Sequence, residues 1–267
     1  MSHAALLPSR DAIPMLIEAR KLPVLDHAYA RYGRRMLRRA FARVWVGGAP
    51  LPLDDGPTIV FLNHSAWWDP ILCHFLSHDV FRRDGYGLME GAQLVKYPFF
   101  RRIGCFGAVG PDGEPGALGA EDARGLALYA ARTLRGGPRR TLWIFPQGSL
   151  LPPRVALTFR SGVARLSRAV PEAPLLPLAV RYELRAEERP EVFVRVGEPV
   201  RGITAAGDSP ARATRRLEAR LRETLDALDD DLRDPEPTTY RVVLAGRHSI
   251  SEFYDRTVGR LRARRAG

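Results

Sequence analysis

The chain has 267 residues, of which 45% are hydrophobic, and its 41 lysines and arginines outnumber 30 acidic residues for a formal net charge of +11. This length suits one large domain or two small ones, and the apolar fraction is enough for a sizeable core, which excludes a wholly disordered chain. The positive charge favours an anionic partner, such as a phospholipid surface, a phosphorylated or CoA-like substrate, an acidic carrier protein or a nucleic acid.

Two further properties concern the membrane and the redox state of the thiols. Every apolar run is broken by Arg, Pro or Gly within about seven residues, so no segment is predicted to span a membrane, and a protein of this composition that works there lies on its surface. The N-terminal residues show no secretory signal. The only cysteines, Cys73 and Cys105, are therefore expected to be reduced thiols.

Residues 29–45 are predicted to form a basic amphipathic helix. At about 100° per residue, arginines occupy one side of this helix and apolar side chains the other. The basic side carries Arg31, Arg34, Arg35, Arg38, Arg39 and Arg43, and the apolar side carries Met36, Leu37, Ala40, Phe41 and Val44. Such a helix either lies in the headgroup layer with its arginines facing lipid phosphates or packs its apolar stripe on the domain.

Strand and helix signals alternate along the middle of the chain. The predicted strands are 58–62, 86–89, 141–145, 175–180 and 192–196, and the predicted helices are 69–77, 96–104, 120–134 and 159–169. This alternation predicts one α/β domain with a central, mostly parallel or mixed sheet flanked by helices. We assign residues 1–50 to an N-terminal amphipathic helical region, 51–205 to the α/β core, and 206–267 to a C-terminal helical extension that packs on the core.

A histidine and an aspartate flank the turn after the first predicted strand, in the segment Asn63-His64-Ser65-Ala66-Trp67-Trp68-Asp69-Pro70. The carboxyl edge of the sheet is where open α/β folds place ligands. His64 and Asp69 would lie about 140° apart on a continuous helix, but a strand–loop–helix turn lets them meet. The carboxylate would then orient the imidazole as a general base for a hydroxyl proton. Alternatively, Asp69 only caps the helix and His64 is a loop histidine with a structural hydrogen bond.

A second polar segment, Phe145-Pro146-Gln147-Gly148-Ser149, follows another predicted buried strand. Proline and glycine favour a turn here, and Gln147 offers an amide to a ligand hydroxyl or to the backbone. The segment Phe159-Arg160-Ser161-Gly162 then opens a helix whose first N–H groups could receive an anion. A Phe-Pro-x-Gly turn is also common as a purely structural element.

Five blocks of sequence, taken in order, resemble the glycerolipid acyltransferase superfamily typified by 1-acyl-glycerol-3-phosphate acyltransferase. They are Asn-His-x-x-x-x-Asp at 63–69, Tyr-Pro-Phe-Phe with Ile-Gly at 97–104, Phe-Pro-x-Gly at 145–148, Phe-Arg-x-Gly at 159–162 and Leu-Leu-Pro-Leu-Ala-Val at 175–180. The spacing of His64 and Asp69 alone would be a weak signal. Five blocks in the same order, each in the matching strand–loop–helix context, are a specific one.

This resemblance implies an O-acyltransferase in which His64 and Asp69 form a dyad that deprotonates the hydroxyl of a lipid acceptor. The hydroxyl then attacks an acyl thioester, either acyl-CoA or acyl carrier protein (acyl-ACP), and neither a further cofactor nor a metal is expected. No acyl-enzyme is needed, which agrees with the absence of a Gly-x-Ser-x-Gly segment. The implied substrate-binding residues are Asn63, Ser65, Gln147, Gly148, Ser149, Arg160 and Gly162.

The resemblance also implies contact with a membrane, because the amphipathic N-terminal region of the family lies on one. The expected contact residues are Arg31, Arg34, Arg35, Arg38, Leu37 and Phe41. The expected location is therefore the cytoplasmic face of the membrane, for a peripheral or monotopic protein. Its expected partners are a lipid acceptor, an acyl donor and an anionic membrane surface, without nucleic acid.

Two positions depart from the family pattern. The block after Gly104 normally ends in an arginine that grips the acceptor phosphate, whereas residues 110–112 read Gly-Pro-Asp. Phe-Pro-Glu-Gly is replaced by Phe-Pro-Gln-Gly, which loses a negative charge. Arg101, Arg102 or, best placed by the pattern, Arg160 could contact a phosphate instead. The alternatives are an acceptor without phosphate, such as a glycolipid or a glycosylated carotenoid, and a non-catalytic membrane-binding relative.

Overall fold

The computed structural model describes residues 16–50, 54–109, 120–153, 155–203, 209–234 and 238–246. The helices are α1 Pro23–Ala40, α2 Asp69–Phe75, α3 Gly91–Lys96, α4 Phe99–Arg102, α5 Ala120–Arg135, α6 Gly162–Ala169 and α7 Pro210–Asp231. The strands are β1 Leu16–Ile17, β2 Arg43–Gly48, β3 Thr58–Leu62, β4 Asp84–Leu88, β5 Cys105–Ala108, β6 Arg140–Ile144, β7 Leu175–Glu183, β8 Glu191–Val196 and β9 Arg241–Ala245. A π-helical turn, Leu76–Phe81, continues α2 directly.

Within the described residues, nine strands form one sheet in the order β1-β5-β4-β6-β3-β7-β8-β2-β9. The central strand β3 is parallel to both of its neighbours, β6 and β7, and every residue of β3 is buried. Antiparallel pairs occur between β1 and β5, β7 and β8, and β2 and β9. The predicted α/β fold with a mostly parallel, mixed sheet flanked by helices is therefore confirmed.

Helices cover both faces of the sheet, and alternate residues of each central strand pack into two separate hydrophobic cores. Ile59 and Phe61 face the core beneath α5, α6 and α7, whereas Val60 and Leu62 face the core beneath α1 and α2. The sequence of a strand that is covered on both faces is a nearly continuous apolar run, as in residues 58–62. This arrangement leaves the ends of the strands, rather than the faces of the sheet, available for a site.

The predicted helix over 29–45 is wrong at both ends. The helix begins at Pro23, where proline fits the first helical position, and ends at Ala40. Residues from Arg43 form β2 instead, because Val44 and Val46 alternate as buried residues at the period of a strand. The side chain of Arg43 pairs with Glu187 and Glu191 and so does not continue the basic helical face.

Two of the expected membrane contacts are also wrong. Leu37 and Phe41 are buried in the core between α1, α2 and the sheet, because they lie on the side of α1 that packs against the protein. The ring of Phe41 contacts Trp68 and Tyr182, so it cannot reach a lipid. The four expected arginine contacts, Arg31, Arg34, Arg35 and Arg38, are exposed.

Strand pairing crosses both of the assigned segment boundaries. Strand β2, within 1–50, pairs with β8, and β9, within 206–267, pairs with β2. Three other elements differ from prediction in detail. The single helix predicted for 96–104 is replaced by the end of α3 and by α4, with Pro98 between them. Helix α6 begins at Gly162 rather than at 159, and β7 extends to Glu183 rather than ending at 180. The departure from the family pattern at 110–112 lies outside the described residues.

Among the described helices, none combines the length and the apolar composition that crossing a membrane requires.

Candidate active site

His64 and Asp69 meet at the carboxyl edge of the sheet. His64 lies two residues beyond the end of β3, and α2 begins at Asp69 with Pro70 as its second residue. The chain turns between them, so that Nδ1 of His64 lies 2.8 Å from Oδ2 of Asp69. The side chain of Asp69 is fully buried, and that of His64 is 18% exposed. The imidazole is therefore held by a buried carboxylate while it stays accessible to a substrate.

Four hydrogen-bond donors from the described residues surround the carboxylate of Asp69. Besides His64, the backbone N–H groups of Ser65 and Ala66 donate to Oδ2 at 2.8 and 2.9 Å. The hydroxyl of Tyr182 donates to Oδ1 at 2.6 Å. Since a carboxylate only accepts, Nδ1 of His64 carries the proton in this arrangement and Nε2 is the basic nitrogen. No described residue forms a hydrogen bond with Nε2.

The turn after β6 holds His64 from a second direction. Oε1 of Gln147 accepts the backbone N–H of His64 at 2.8 Å. The ring of Phe145 stacks on the imidazole at 4.2 Å between centroids, with 23° between the planes. Strands β3 and β6 are parallel neighbours, so their following loops leave the same edge of the sheet. Two of the sequence blocks singled out above thus form one site around the imidazole.

Comparison with known proteins identifies the family and a similar fold. A sequence profile of the Acyltransferase family matches residues 32–181, more than half of the chain, including both of these blocks. The chain belongs to the Acyltransferase family. Its fold is similar to that of the 1-acyl-sn-glycerophosphate (LPA) acyltransferase PlsC from Thermotoga maritima, with 19% identity and a TM-score of 0.52 over 76% of this chain and 79% of that chain. Comparison with curated proteins finds no match.

Sequence reasoning missed one residue at the site of this acyltransferase, Tyr182. The predicted strand stopped at residue 180, but β7 continues to Glu183. Strand alternation therefore carries Tyr182 to the same face as Leu178 and Val180, beside the dyad. Burial, together with the adjacent Asp69 carboxylate, raises the pKa of Tyr182 well above its usual value. Its hydroxyl consequently stays protonated and donates to Asp69.

We expect Tyr182→Phe to lower the free energy of unfolding by about 1–3 kcal/mol, because Oδ1 of buried Asp69 loses its donor. Acyl transfer should fall as well, since the carboxylate that orients His64 is then held less firmly. Urea denaturation and initial transfer rates measure the two effects. Tyr32→Phe is the matched control for stability, because the Tyr32 side chain is exposed on α1. Unchanged stability and rate in Tyr182→Phe would show that the hydrogen bond contributes to neither.

Asn63 is not free to bind substrate as expected. Its Oδ1 accepts the backbone N–H of Val180 at 2.9 Å, and its Nδ2 donates to the Val180 carbonyl at 3.0 Å. The side chain thereby joins the end of β3 to β7. Of the two roles predicted for Gln147, the structure shows contact with the backbone, since its oxygen accepts the N–H of His64. Ser65 takes part in the site through its backbone N–H group.

The remaining predicted binding residues lie at the exposed rim of the site. Gly148, Ser149, Arg160 and Gly162 are all exposed. Gly148 has a φ of +74°, and a Cβ there would lie 2.7 Å from Nε of Arg160, so the guanidinium packs directly over this glycine. Arg160 forms no ion pair with another described residue, and its backbone N–H bonds the Pro146 carbonyl. A guanidinium with no ion-pair partner among the described residues is therefore anchored to the turn that contacts His64.

Within the described part of the chain, no other His, Cys, Asp or Glu joins the dyad to make a set of three metal ligands. His64 and Asp69 alone do not match the three protein ligands that catalytic zinc sites use. The chemistry available at this site is proton transfer by an oriented imidazole.

Proposed function

We propose that this acyltransferase transfers a fatty acyl group from acyl-CoA or acyl-ACP to the hydroxyl of a lipid acceptor, with His64 as general base. The observation that carries the proposal is the His64–Asp69 pair, with Nδ1 bound at 2.8 Å and Nε2 left available. An imidazole oriented in this way by a buried carboxylate is suited to deprotonating a hydroxyl. The family match supports acyl transfer as the reaction that uses it.

In the proposed reaction, Nε2 of His64 takes the proton of the acceptor hydroxyl as its oxygen attacks the thioester carbonyl carbon. The new C–O bond forms, the C–S bond breaks, and the departing thiolate takes the proton back from the imidazolium. The negative charge of Asp69, 2.8 Å from Nδ1, stabilises the imidazolium between these two steps. The proton is thus returned and the enzyme ends the cycle unchanged.

Neither cysteine is suited to form an acyl-enzyme. Burial raises the pKa of the Cys105 thiol to about 12 and that of Cys73 well above its usual value. The reactive thiolate form is therefore scarce at neutral pH. This favours direct transfer between the two substrates over a covalent intermediate on sulfur.

The decisive experiment incubates the purified chain with labelled acyl-CoA or acyl-ACP and a panel of acceptors that includes lysophosphatidic acid and neutral glycolipids. We expect label in one acceptor class and release of the free thiol in equal amount. Binding to liposomes without thioester consumption by any pair would contradict the proposal and favour a non-catalytic membrane-binding relative.

We propose further that Arg160 contacts a phosphate of the acceptor. Its guanidinium is exposed, lacks a carboxylate partner among the described residues and packs on Gly148 at the turn that contacts His64. Arginine binds phosphate through two parallel N–H groups, which makes it a specific phosphate contact. This supports a lysophosphatidic-acid-like acceptor even though residues 110–112 carry no arginine.

We expect Arg160→Gln to raise KM for a phosphate-bearing acceptor by about 10- to 100-fold, since a hydrogen bond to a charged group contributes about 1.5–3 kcal/mol. KM for a neutral glycolipid should not change. Arg165→Gln is the matched control, because Arg165 is also exposed but lies one turn further along the chain, in α6. An equal KM in Arg160→Gln and wild type would instead favour a phosphate-free acceptor or a different arginine.

We also propose that the protein lies peripherally on the cytoplasmic face of an anionic membrane. Exposed apolar and aromatic side chains cluster around the start of α1 and the segment α3–α4, where Tyr29 and Phe99 are in ring contact. They are Leu22, Val24, Leu25, Tyr32, Val95, Tyr97 and Phe99. The arginines of α1 lie beside them, and arginines next to exposed apolar residues suit a headgroup layer. These side chains replace Leu37 and Phe41 as the apolar part of the contact.

We expect Val24→Asp to weaken binding to anionic liposomes by about tenfold or more, because a valine of this size gains roughly 1.5 kcal/mol on burial. Val24 is 81% exposed on α1. Leu128→Asp is the matched control, since Leu128 is 60% exposed on α5, across the sheet from α1. Liposome flotation measures both variants. Equal loss in the two variants, or none in Val24→Asp, would contradict the assigned surface.

A further inference from the structure

A second cluster of titratable side chains lies between α1 and α2, and the proposed acyl transfer does not use it. Nε2 of His74 lies 2.8 Å from Oδ1 of Asp26, and Nε2 of His78 lies 3.1 Å from Oδ2 of the same carboxylate. The three ligand atoms all lie within 4.8 Å of one another. We propose that Asp26, His74 and His78 form a binding site for Zn²⁺ that joins α1 to α2.

The donor set and its spacing suit zinc. Two imidazole nitrogens and one carboxylate oxygen, with a fourth position open to water, are a set that Zn²⁺ binds tetrahedrally. Ligand atoms at the usual distances from a tetrahedral Zn²⁺ are about 3.3 Å apart. The present separations of 2.8 and 3.1 Å are hydrogen-bond distances. Shifts of about half an ångström would open them to metal distances.

The backbone places both histidines on one side of the helix. His74 lies in the last turn of α2, and His78 lies four residues later in the π-helical turn 76–81. Residues four apart on a helix face the same way, and the two rings stack at 4.6 Å between centroids. π-Helical turns are uncommon and occur frequently at functional sites. This one falls where it directs a second imidazole at Asp26.

Lys21 is the group that competes with a cation here. Its Nζ lies 3.1 Å from Oδ2 of Asp26, but it also donates to Oδ1 of Asp84 at 2.6 Å and to the Gly85 carbonyl at 2.8 Å. The ammonium therefore keeps two acceptors when a metal takes the Asp26 oxygen. Its positive charge should nevertheless weaken zinc binding, so the affinity should rise when the charge is removed.

Isothermal titration of the untagged, full-length chain, stripped with a chelator, with Zn²⁺ tests the proposal. We expect one ion per chain, and Co²⁺ should give the absorption bands of a tetrahedral site. His74→Ala and His78→Gln should each weaken binding by at least about 100-fold, the upper end of the loss seen when only an outer partner of a metal ligand is removed. Lys21→Met should tighten it. Far-UV circular dichroism of the zinc-free variants checks that each is folded.

Two histidine variants serve as controls. His27→Ala removes an imidazole whose ring contacts His78 but whose Nδ1 bonds the Pro23 carbonyl, and His64→Ala removes the dyad histidine. Both should bind Zn²⁺ as the wild type does. Absence of zinc binding by the wild type, or binding that survives in His74→Ala and His78→Gln, overturns the proposal. Weaker binding in Lys21→Met contradicts the position of the ion beside Asp26.

Discussion

His64→Ala is expected to lower the rate of acyl transfer by about 100- to 10,000-fold, the usual contribution of a general base. Among the described residues of the site, His64 is the one that presents a basic nitrogen to the solvent side. The fold of the variant should survive, because Oδ2 of Asp69 keeps the N–H groups of Ser65 and Ala66 as donors and the backbone bonds of residue 64 are unaffected. The N–H group donates to Gln147 and the carbonyl accepts from Leu151, and alanine keeps both.

The rate of labelled acyl transfer at saturating donor, with the melting temperature of the same preparation, measures this effect. His27→Ala is the matched control, since it also deletes an imidazole, one that is exposed and bonds its own helix. We expect the control to transfer at the wild-type rate. If His64→Ala transferred as fast as the wild type, the hydroxyl proton would leave by another route and the dyad assignment would be wrong.

Asp69→Asn is expected to lower the rate of acyl transfer about as much as His64→Ala does, by up to about 10,000-fold. This loss is expected although Asp69 is buried and cannot touch the substrate. The amide keeps one oxygen, which can still accept from Ser65, Ala66 and His64 if its NH₂ group turns to the Tyr182 hydroxyl. It has no negative charge, so the imidazolium that forms during transfer loses its partner at 2.8 Å. A fully buried position makes this loss large, because water cannot replace the charge.

Asp79→Asn provides the comparison for Asp69→Asn. It removes the same charge from the π-helical turn that follows α2, where the carboxylate pairs with exposed Arg34. A surface pair of this kind contributes about 1 kcal/mol or less, so neither rate nor stability should change measurably. Comparing kcat with KM separates the effects, since loss of charge at Asp69 should lower kcat and leave KM for the acceptor unchanged. A lower rate in both variants alike would mean that overall charge, not the dyad, is responsible.

What the sequence could predict depends on how far apart the interacting residues lie. His64 and Asp69 are five residues apart, so a strand–loop–helix pattern was sufficient to bring them together. Tyr182 lies 113 residues from Asp69, and the Asp26–His74 pair spans 48 residues. No local sequence pattern predicts such contacts, because they depend on which strands and helices become neighbours in the folded chain.

The error in α1 has a different cause. Residues 41–45 fit both a helical stripe and a strand. In so short a run, the same apolar residues satisfy the spacing of a helix and the spacing of a strand. Pairing of β2 with β8 decides between them, and this depends on the sheet. The same packing turns Leu37 and Phe41 inward. Amphipathic character alone therefore identified a helix with a basic side but could not say whether protein or lipid covers the other side.

The contrast in burial between Asp69 and the rim residues has an evolutionary consequence. The carboxylate is fixed by donors from a loop and from β7, so substitution there disturbs folding and chemistry together. Ser149, Arg160 and Gly162 are exposed, where replacement leaves the core untouched. On the proposed function, a substitution at the rim can therefore change the acceptor while the dyad that takes the proton is kept.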